Sequence, residues 1–539
     1  MKTWIVCASA LALASACGSS KEATAALDAM NLTDGTSGLV KYASKSGSGD
    51  KVTLKDVVIG PGAGQGFKAK SLVLDGLGLT SDGKPMFRDL TLKDVSPEAE
   101  TPGVTFNLAT VSIRNPNEIT AAFLASSLTQ AGPATPPPFE QWSLDKISFN
   151  GLTITGDLAQ MGMGAGSFSV AMDEMSVASL KDTIFGSAIL SGLKGTFDVP
   201  AEAGAGFPVA GTFDFGKGEI KGLRGGLYAT AFEAGFASGM DPMAMQTINA
   251  DMIAAMTSPI DPGFDTFNWS GMNIAASGVK LATSAIDQKA TRNAQGVVTA
   301  VSSPRATVSF TANAADGQLG AMAGGALGMI GYETVELYGE GDATFDPATD
   351  TTRYTRYNFG MTDGFDIVMS GGFLGVQKAL VSLMSGISSM GGAPIVEPDF
   401  DDETPDADAP VVEPTLPAAP DFSGVGELTI VDLDLTLTDK SLVNRLLQLS
   451  TMMGSPDPEA LRTDIVNQIA ALGADLSAAG VDPAVSSELL AAVSSFIKQP
   501  GTLSIKLKPA TPLKLGDVSG PEQLTKTTLG FSATSAPAN

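Results

Sequence analysis

The chain of 539 residues contains no histidine. That removes Ser-His-Asp and Cys-His nucleophilic systems, His-bearing zinc sites, haem ligation through His and His proton shuttles. Cysteine is almost as scarce. There are two, Cys7 and Cys17, so thiolate zinc and iron–sulfur centres go as well. Charge is thin, at 17% of residues against 43% hydrophobic, where about 25% charged is ordinary for a globular domain. Long apolar runs are missing too, and no internal stretch reaches the ~20 residues a transmembrane helix needs. The excess apolar surface must therefore fill a core or line a groove. No cofactor is expected. Carboxylate, lysine and oxygen-ligand calcium chemistry remain open, and a non-enzymatic protein is the expectation.

What charge there is has one dominant sign. Lys plus Arg number 33 and Asp plus Glu 58, a net of −25. Such a chain is repelled by phosphate backbones and anionic headgroups, which argues against nucleic-acid binding and against a basic membrane patch.

The first residues explain how a membrane could hold the protein instead. Met1-Lys2-Thr3 precede an apolar run from Trp4 to Ala16, which is signal-peptide anatomy and too short to span a bilayer. The run ends Leu13-Ala14-Ser15-Ala16-Cys17-Gly18. This resembles the lipobox of bacterial lipoproteins, which implies cleavage before Cys17 and an acyl chain on it. The Leu stands one place further from the cysteine than in that motif, and Ala14-Ser15-Ala16 also reads as an ordinary A-x-A cleavage site. Cleavage would remove Cys7 and leave no intramolecular disulfide. Gly18 stands where an Asp would signal inner-membrane retention, so the resemblance favours the outer membrane without fixing the leaflet.

Strand-like segments recur along the chain, each a run of alternating apolar residues interrupted by Gly or Asp. Leu72–Leu79, Ile147–Ile154 and Phe267–Ile274 are clear copies, and 189–193, 220–223 and 428–435 are looser ones. Thr53-Leu54-Lys55-Asp56-Val57 recurs identically as residues 91–95. Period-two alternation puts one face of a strand on an apolar surface and the other in water. The central Gly or Asp marks a bulge, a kink or a change of sheet. The expected fold is mainly β with accessory helices: a long curved antiparallel sheet or repeating β units, followed by a helical C-terminal block. Two ordinary β-sandwiches are the alternative.

Helical patterns cover 117–130, after Pro116; 241–256, rich in Met and readable as core or as a soft ligand-facing surface; and 373–390, apolar with Gly at both ends. The glycine clusters at 60–66, 162–166 and 320–331 read as loops and close-packing sites. None has the spacing of a phosphate-binding loop. Residues 394–420 are proline-rich and carry eight acids from Glu397 to Glu413. They read as a solvated linker, since an EF-hand's spacing and Gly are absent although Asp399, Asp401, Asp402, Glu403, Asp406 and Asp408 could gather calcium. Beyond them the pattern gives a strand at 427–437, a helix to Leu449 with Ser441 or Asp439 as N-cap, helices opening at Pro458 and Pro483, and a strand at 502–508. From Ser519 the chain reads as frayed. These strands form a separate unit or complete the main sheet. The domain expectation is a signal peptide (1–16), a tether and N-terminal segment (17–49), a β-rich repeat region with helical insertions (50–393), the acidic linker (394–421) and a C-terminal β-helical unit (422–539).

Catalytic motifs are weak. S-x-x-K occurs, among other places, at Ser48–Lys51, Ser81–Lys84 and Ser495–Lys498, none of these three opening a helix as serine penicillin-recognising enzymes require. Asp432 and Asp434 share one strand face, where a carboxylate pair could do acid–base work or simply face water.

The interrupted strands, the lipobox and the lack of catalytic residues together resemble uncharacterised proteobacterial envelope proteins. They resemble more distantly, over residues 50 to 375, AsmA-like proteins with a long β groove. That resemblance implies a lipid-handling role in the envelope. Members are usually anchored by a transmembrane helix, which this chain lacks, and no functional residue carries over. The functional expectation is a lipid-anchored, non-enzymatic envelope protein that shelters lipids or other apolar ligands in a β groove, its ligand-binding residues unassigned. The alternative is a structural or adhesin-like surface protein that binds proteins or glycans.

Overall fold

In the computed structural model, residues 20–36, 38–60, 64, 66–129, 136–201, 206–226, 253–382, 423–452 and 457–538 are described. Cys17, most of the Met-rich segment 241–256 and the acidic stretch 394–421 lie outside them. The protein is mainly β, its strands antiparallel in a large sheet, with helices concentrated toward the C-terminus. The chain divides into two compact units: Met1–Gly226 with Phe264–Lys289 and Ser303–Gly339, and Leu227–Gly263 with Ala290–Ser302 and Glu340–Asn539.

The first unit opens with helix α1 (Lys21–Ala29), capped by the Ser20 hydroxyl accepting from the Ala23 amide. Short strands β1 (Val40–Lys41) and β2 (Ser44–Ser48) both pair with β3 (Lys51–Ile59). From β3 the sheet runs through β4 (Phe67–Asp75), β7 (Asp89–Pro97), β8 (Val104–Arg114), β9 (Leu144–Asp157) and β10 (Ser167–Lys181), each antiparallel to the last. A small hairpin, β5 (Gly78–Leu79) and β6 (Pro85–Met86), forms its own sheet. Leu72–Leu79 is thus not one strand, because the chain turns at Gly76, with φ +67°. After β10 come broken strands: β11 (Ile184–Ser191) and β12 (Lys194–Val199), then β13 (Val209–Asp214) and β14 (Lys217–Arg224), then β15 (Thr266–Trp269) and β16 (Met272–Ala276). They are followed by β17 (Val279–Thr283), β18 (Ile286–Arg292) and β19 (Val298–Ala312).

The core of this unit is one face of β3, β4 and β7. Val52, Leu54, Leu72, Leu74 and Leu90 pack against Ala23, Ala26 and Leu27 of α1 and against Met30 just after it, with Phe87 beside them. Each valine, leucine, methionine and phenylalanine among them contributes about 1.5–3 kcal/mol on burial. Helix α2 (Glu118–Ser127) starts where the sequence predicts, Asn117 accepting from the Thr120 amide. Its Ala125 joins the same core. The glycine cluster at 320–331, expected as a loop, is instead helix α3 (Gly317–Met329). Alanine, leucine and methionine carry it, and a Cβ on Gly320 would stand 2.3 Å from the Asn313 carbonyl oxygen. Glycine's helical penalty of about 1 kcal/mol is accepted there for close packing.

The second unit contains a buried ion pair. Asp261, with a fully buried side chain, takes two hydrogen bonds of 2.9 Å from the Arg292 guanidinium. The Thr257 hydroxyl at 2.6 Å and the Gly263 amide at 2.9 Å complete its shell. Burial works to raise this carboxyl's pKa, but the Arg292, Thr257 and Gly263 donors outweigh it and hold the pKa below the usual value.

Strands β21 (Thr351–Met361), β22 (Phe365–Leu374) and β23 (Thr429–Asp439) follow β20 (Thr334–Asp346). β23 pairs with β22 along almost its whole length and then with β24 (Gly501–Leu507). The strand after the acidic stretch therefore continues the sheet begun before it. Residues 373–374, expected as the start of a helix, end β22 because Phe373 pairs with Ile430, and residues 376–382 are helical. Helix α4 (Leu442–Met452) follows β23, and α5 (Pro458–Ala478) and α6 (Pro483–Lys498) keep the predicted proline starts. Asp439, rather than Ser441, caps α4 by accepting from the Val443 amide, and burial pushes its carboxyl above the usual range.

The tail from Ser519 is ordered, which corrects the expectation of fraying. It forms α7 (Lys526–Leu529) and β25 (Ser532–Pro537), and β25 pairs with β24. The segment has little apolar alternation to read. Phe531 and Ala533 nevertheless bury against Val485 and Phe496 of α6, and Glu488 accepts from the Ala533 amide and pairs with Lys526. That carboxylate occupies a backbone donor of the last strand, a common way of blunting a sheet edge.

Candidate functional site: an apolar trough along a crease

The residues that interrupt the strands are those the sequence singles out, and the sheet aligns them. Asp56 and Asp94, the equivalent positions of the repeated pentapeptide, both take the left-handed conformation at φ +52°. Asp tolerates it where a β-branched residue does not. Gly151, Gly192 and Gly271 follow at φ +67°, +64° and +109°. Across the strands Asp56 stands beside Lys70, Lys70 beside Asp94, and Gly151 beside Ala109, each at the one residue skipped by the regular pairing. A Cβ on Gly151 would lie 2.8 Å from the Ala109 Cβ. The interruptions thus form one crease running across the sheet.

At the crease, the spacing of the apolar face slips from two residues to three. The pairs are Leu54 and Val57 on β3, Ala69 and Leu72 on β4, and Leu92 and Val95 on β7. Leu108 and Val111 on β8, Phe149 and Leu152 on β9, and Met172 and Met175 on β10 repeat the slip. Cross-strand partners keep these residues on one face. The opposite face carries Lys55, Lys93, Ser112, Ser148, Asn150 and Glu174, tied by Ser112–Ser148 at 2.8 Å and Lys146–Glu174 at 2.7 Å.

A cavity of about 510 Å³ lies along this crease on the apolar face. Thirteen residues line it and all are apolar, from Ile59 and Phe67 on one side to Met172 and Met175 on the other, with Leu128 after α2 at the rim. The size is that of a small-ligand site, but such sites normally carry a few polar groups to orient a ligand. This one has none. Phe67 and Met175 remain 54% and 44% exposed, so the described residues leave the trough open. The apolar face is legible in the sequence, but the trough is not. The three-residue slip on successive strands is the signal that could have found it.

The other candidate residues that are described are not brought together into a site. Asp432 pairs with Arg353 at 2.8 Å and Asp434 with Lys506 at 2.8 Å, so both carboxylates are neutralised on a polar strand face. Ser48 and Lys51 face each other across a hairpin, with Lys51 paired to Asp75 at 3.1 Å. Lys84 pairs with Asp82 at 2.8 Å in a turn, and Ser495 and Lys498 end α6. Among the described residues no group of three or more His, Cys, Asp or Glu could hold a metal ion, and no helix is long and apolar enough to cross a membrane. A hollow of about 1000 Å³ lies at the ends of β8–β10, lined largely by polar residues such as Lys68, Thr105, Thr155, Ser169 and Thr196.

A family model described as an uncharacterized protein matches residues 358–536, from within β21 to the last strand. No curated protein and no solved structure matches the chain.

Proposed function

We propose that the protein is a non-enzymatic, lipid-anchored component of a bacterial envelope that binds lipids, or other molecules with an aliphatic chain, in the trough along the crease. The observation that carries this reading is the all-apolar lining of an open cavity in a chain of net charge −25. Leaving such a surface in water costs about 25 cal/mol per Å², and a bound hydrocarbon chain relieves that cost without any polar contact. The anchor is supported by Leu13–Cys17 alone. Outer-membrane placement rests on Gly18 following the cysteine, and no nucleic-acid partner is proposed. The polar hollow at the strand ends favours a second reading, a surface protein that binds a protein or glycan.

The experiment has two arms. The chain without residues 1–17, purified from cells and examined by native mass spectrometry with lipid extraction, should carry lipid at no less than one per chain or take up a long-chain fatty acid on titration. In cells fed labelled palmitate, the full chain should incorporate label and its Cys17→Ser variant should not. A clean mass with no uptake would remove the trough reading and leave the polar hollow as the site to pursue. Equal labelling of both chains would remove the anchor.

A further inference from the structure

The apolar face does not stop where the cavity stops. On one side of the crease the register continues from Met175 to Leu190, Gly218, Trp269 and Ile286. On the other it continues from Val170 to Gly195, Phe213, Ile274, Leu281 and Phe310. Neither row contains a charged residue, and none of these side chains is buried. Phe213 lies over Gly195, where a Cβ would stand 2.6 Å from the ring. The Trp269 indole N–H, its one polar atom, donates to the Phe215 carbonyl at 2.5 Å. With that atom satisfied, the partly buried ring offers only hydrocarbon to a ligand.

We propose that the trough is a track with a second station. A chain of the same class that lies between β3 and β10 also binds across β11 to β19, over Trp269, with its long axis crossing the strands. This rests on the reading of the first cavity as a hydrocarbon site. The occupant follows from continuity with that cavity and from the absence of charge and free polar groups along both rows. Neighbouring strands stand about 4.8 Å apart. The first station therefore spans about 24 Å and the second about 14 to 19 Å, and the two together exceed the reach of a single chain.

Trp4, Trp142 and Trp269 are the three tryptophans of the sequence. In the chain without residues 1–17, W142F leaves Trp269 as the reporter. Titration with dibromostearate should quench its emission by at least half at saturation, whereas plain stearate should not. The reciprocal variant W269F, which keeps Trp142, should lose less than a tenth. Native mass spectrometry should count two chains on the wild type and one on Ile274→Asp. One bound chain with unquenched Trp269 would overturn the second station and leave the first cavity standing. No bound chain at all would overturn both.

Discussion

Replacing Leu152 with aspartate should abolish measurable uptake of a long-chain fatty acid at the cavity between β3 and β10, weakening binding there by at least about 30-fold. Leu152 sits on β9 at the crease, between Leu108 of β8 and Met172 of β10 on the apolar face. It lines the cavity with twelve other apolar residues. A carboxylate there keeps its water, so a hydrocarbon chain must either strip that water or stay out. Even a neutral polar group costs about 2 kcal/mol at the lower end, and each 1.4 kcal/mol is about tenfold in affinity. Leu152 is only partly buried, so the variant should fold. Thr153→Asp is the control, because Thr153 is exposed on the other face and its change should leave uptake within about twofold. Isothermal titration of both variants, with a urea melt to check folding, decides the matter. Equal affinities would place the ligand elsewhere.

Asp261→Ala should cost about 3–5 kcal/mol of stability, since it leaves the largely buried Arg292 guanidinium without its carboxylate. The pair Asp261→Leu with Arg292→Met should cost less than Asp261→Ala alone, because no buried charge is then left behind. The pH dependence has a definite sign. The folded-state pKa of Asp261 is lowered, so its contribution is full above the unfolded value of about 3.9 and is lost as pH falls through the folded value. Urea unfolding at pH 7 and at pH 3 should show the gap between wild type and Asp261→Ala narrowing at the lower pH. A gap that stayed constant would mean that the ion pair is not what holds this part of the second unit.

Much of this fold is written locally. The repeated pentapeptide reads as an interrupted strand because Asp56 and Asp94 can adopt a backbone that valine or leucine cannot, and both do. Pro458 and Pro483 mark helix starts because proline loses no hydrogen bond there. Other features depend on partners distant in sequence. Phe373 extends a strand because Ile430 lies opposite it, and a proline-rich stretch separates the two. The last strand, Ser532–Pro537, has almost no pattern of its own and is ordered by β24 and α6. Helix α3 forms despite its glycines, two of which, Gly320 and Gly324, pack against Asn313 and Ala314 of a neighbouring turn. The candidate site divides the same way. Each strand's slip, such as Leu92 to Val95, is local, but that the slips line up into a trough is a fact of register, which a single sequence does not carry. The absence of histidine, by contrast, is read directly from composition.

Photolabelling tests the central claim most directly. A fatty acid bearing a diazirine midway along its chain is bound to the protein lacking residues 1–17, activated by light, and the modified residues are mapped by peptide mass spectrometry. The trough account predicts labels on the apolar face at the crease, with Leu152, Met172 and Met175 foremost, and their loss in Leu152→Asp. Labels confined to the polar face, or scattered over the helices without preference, would contradict it.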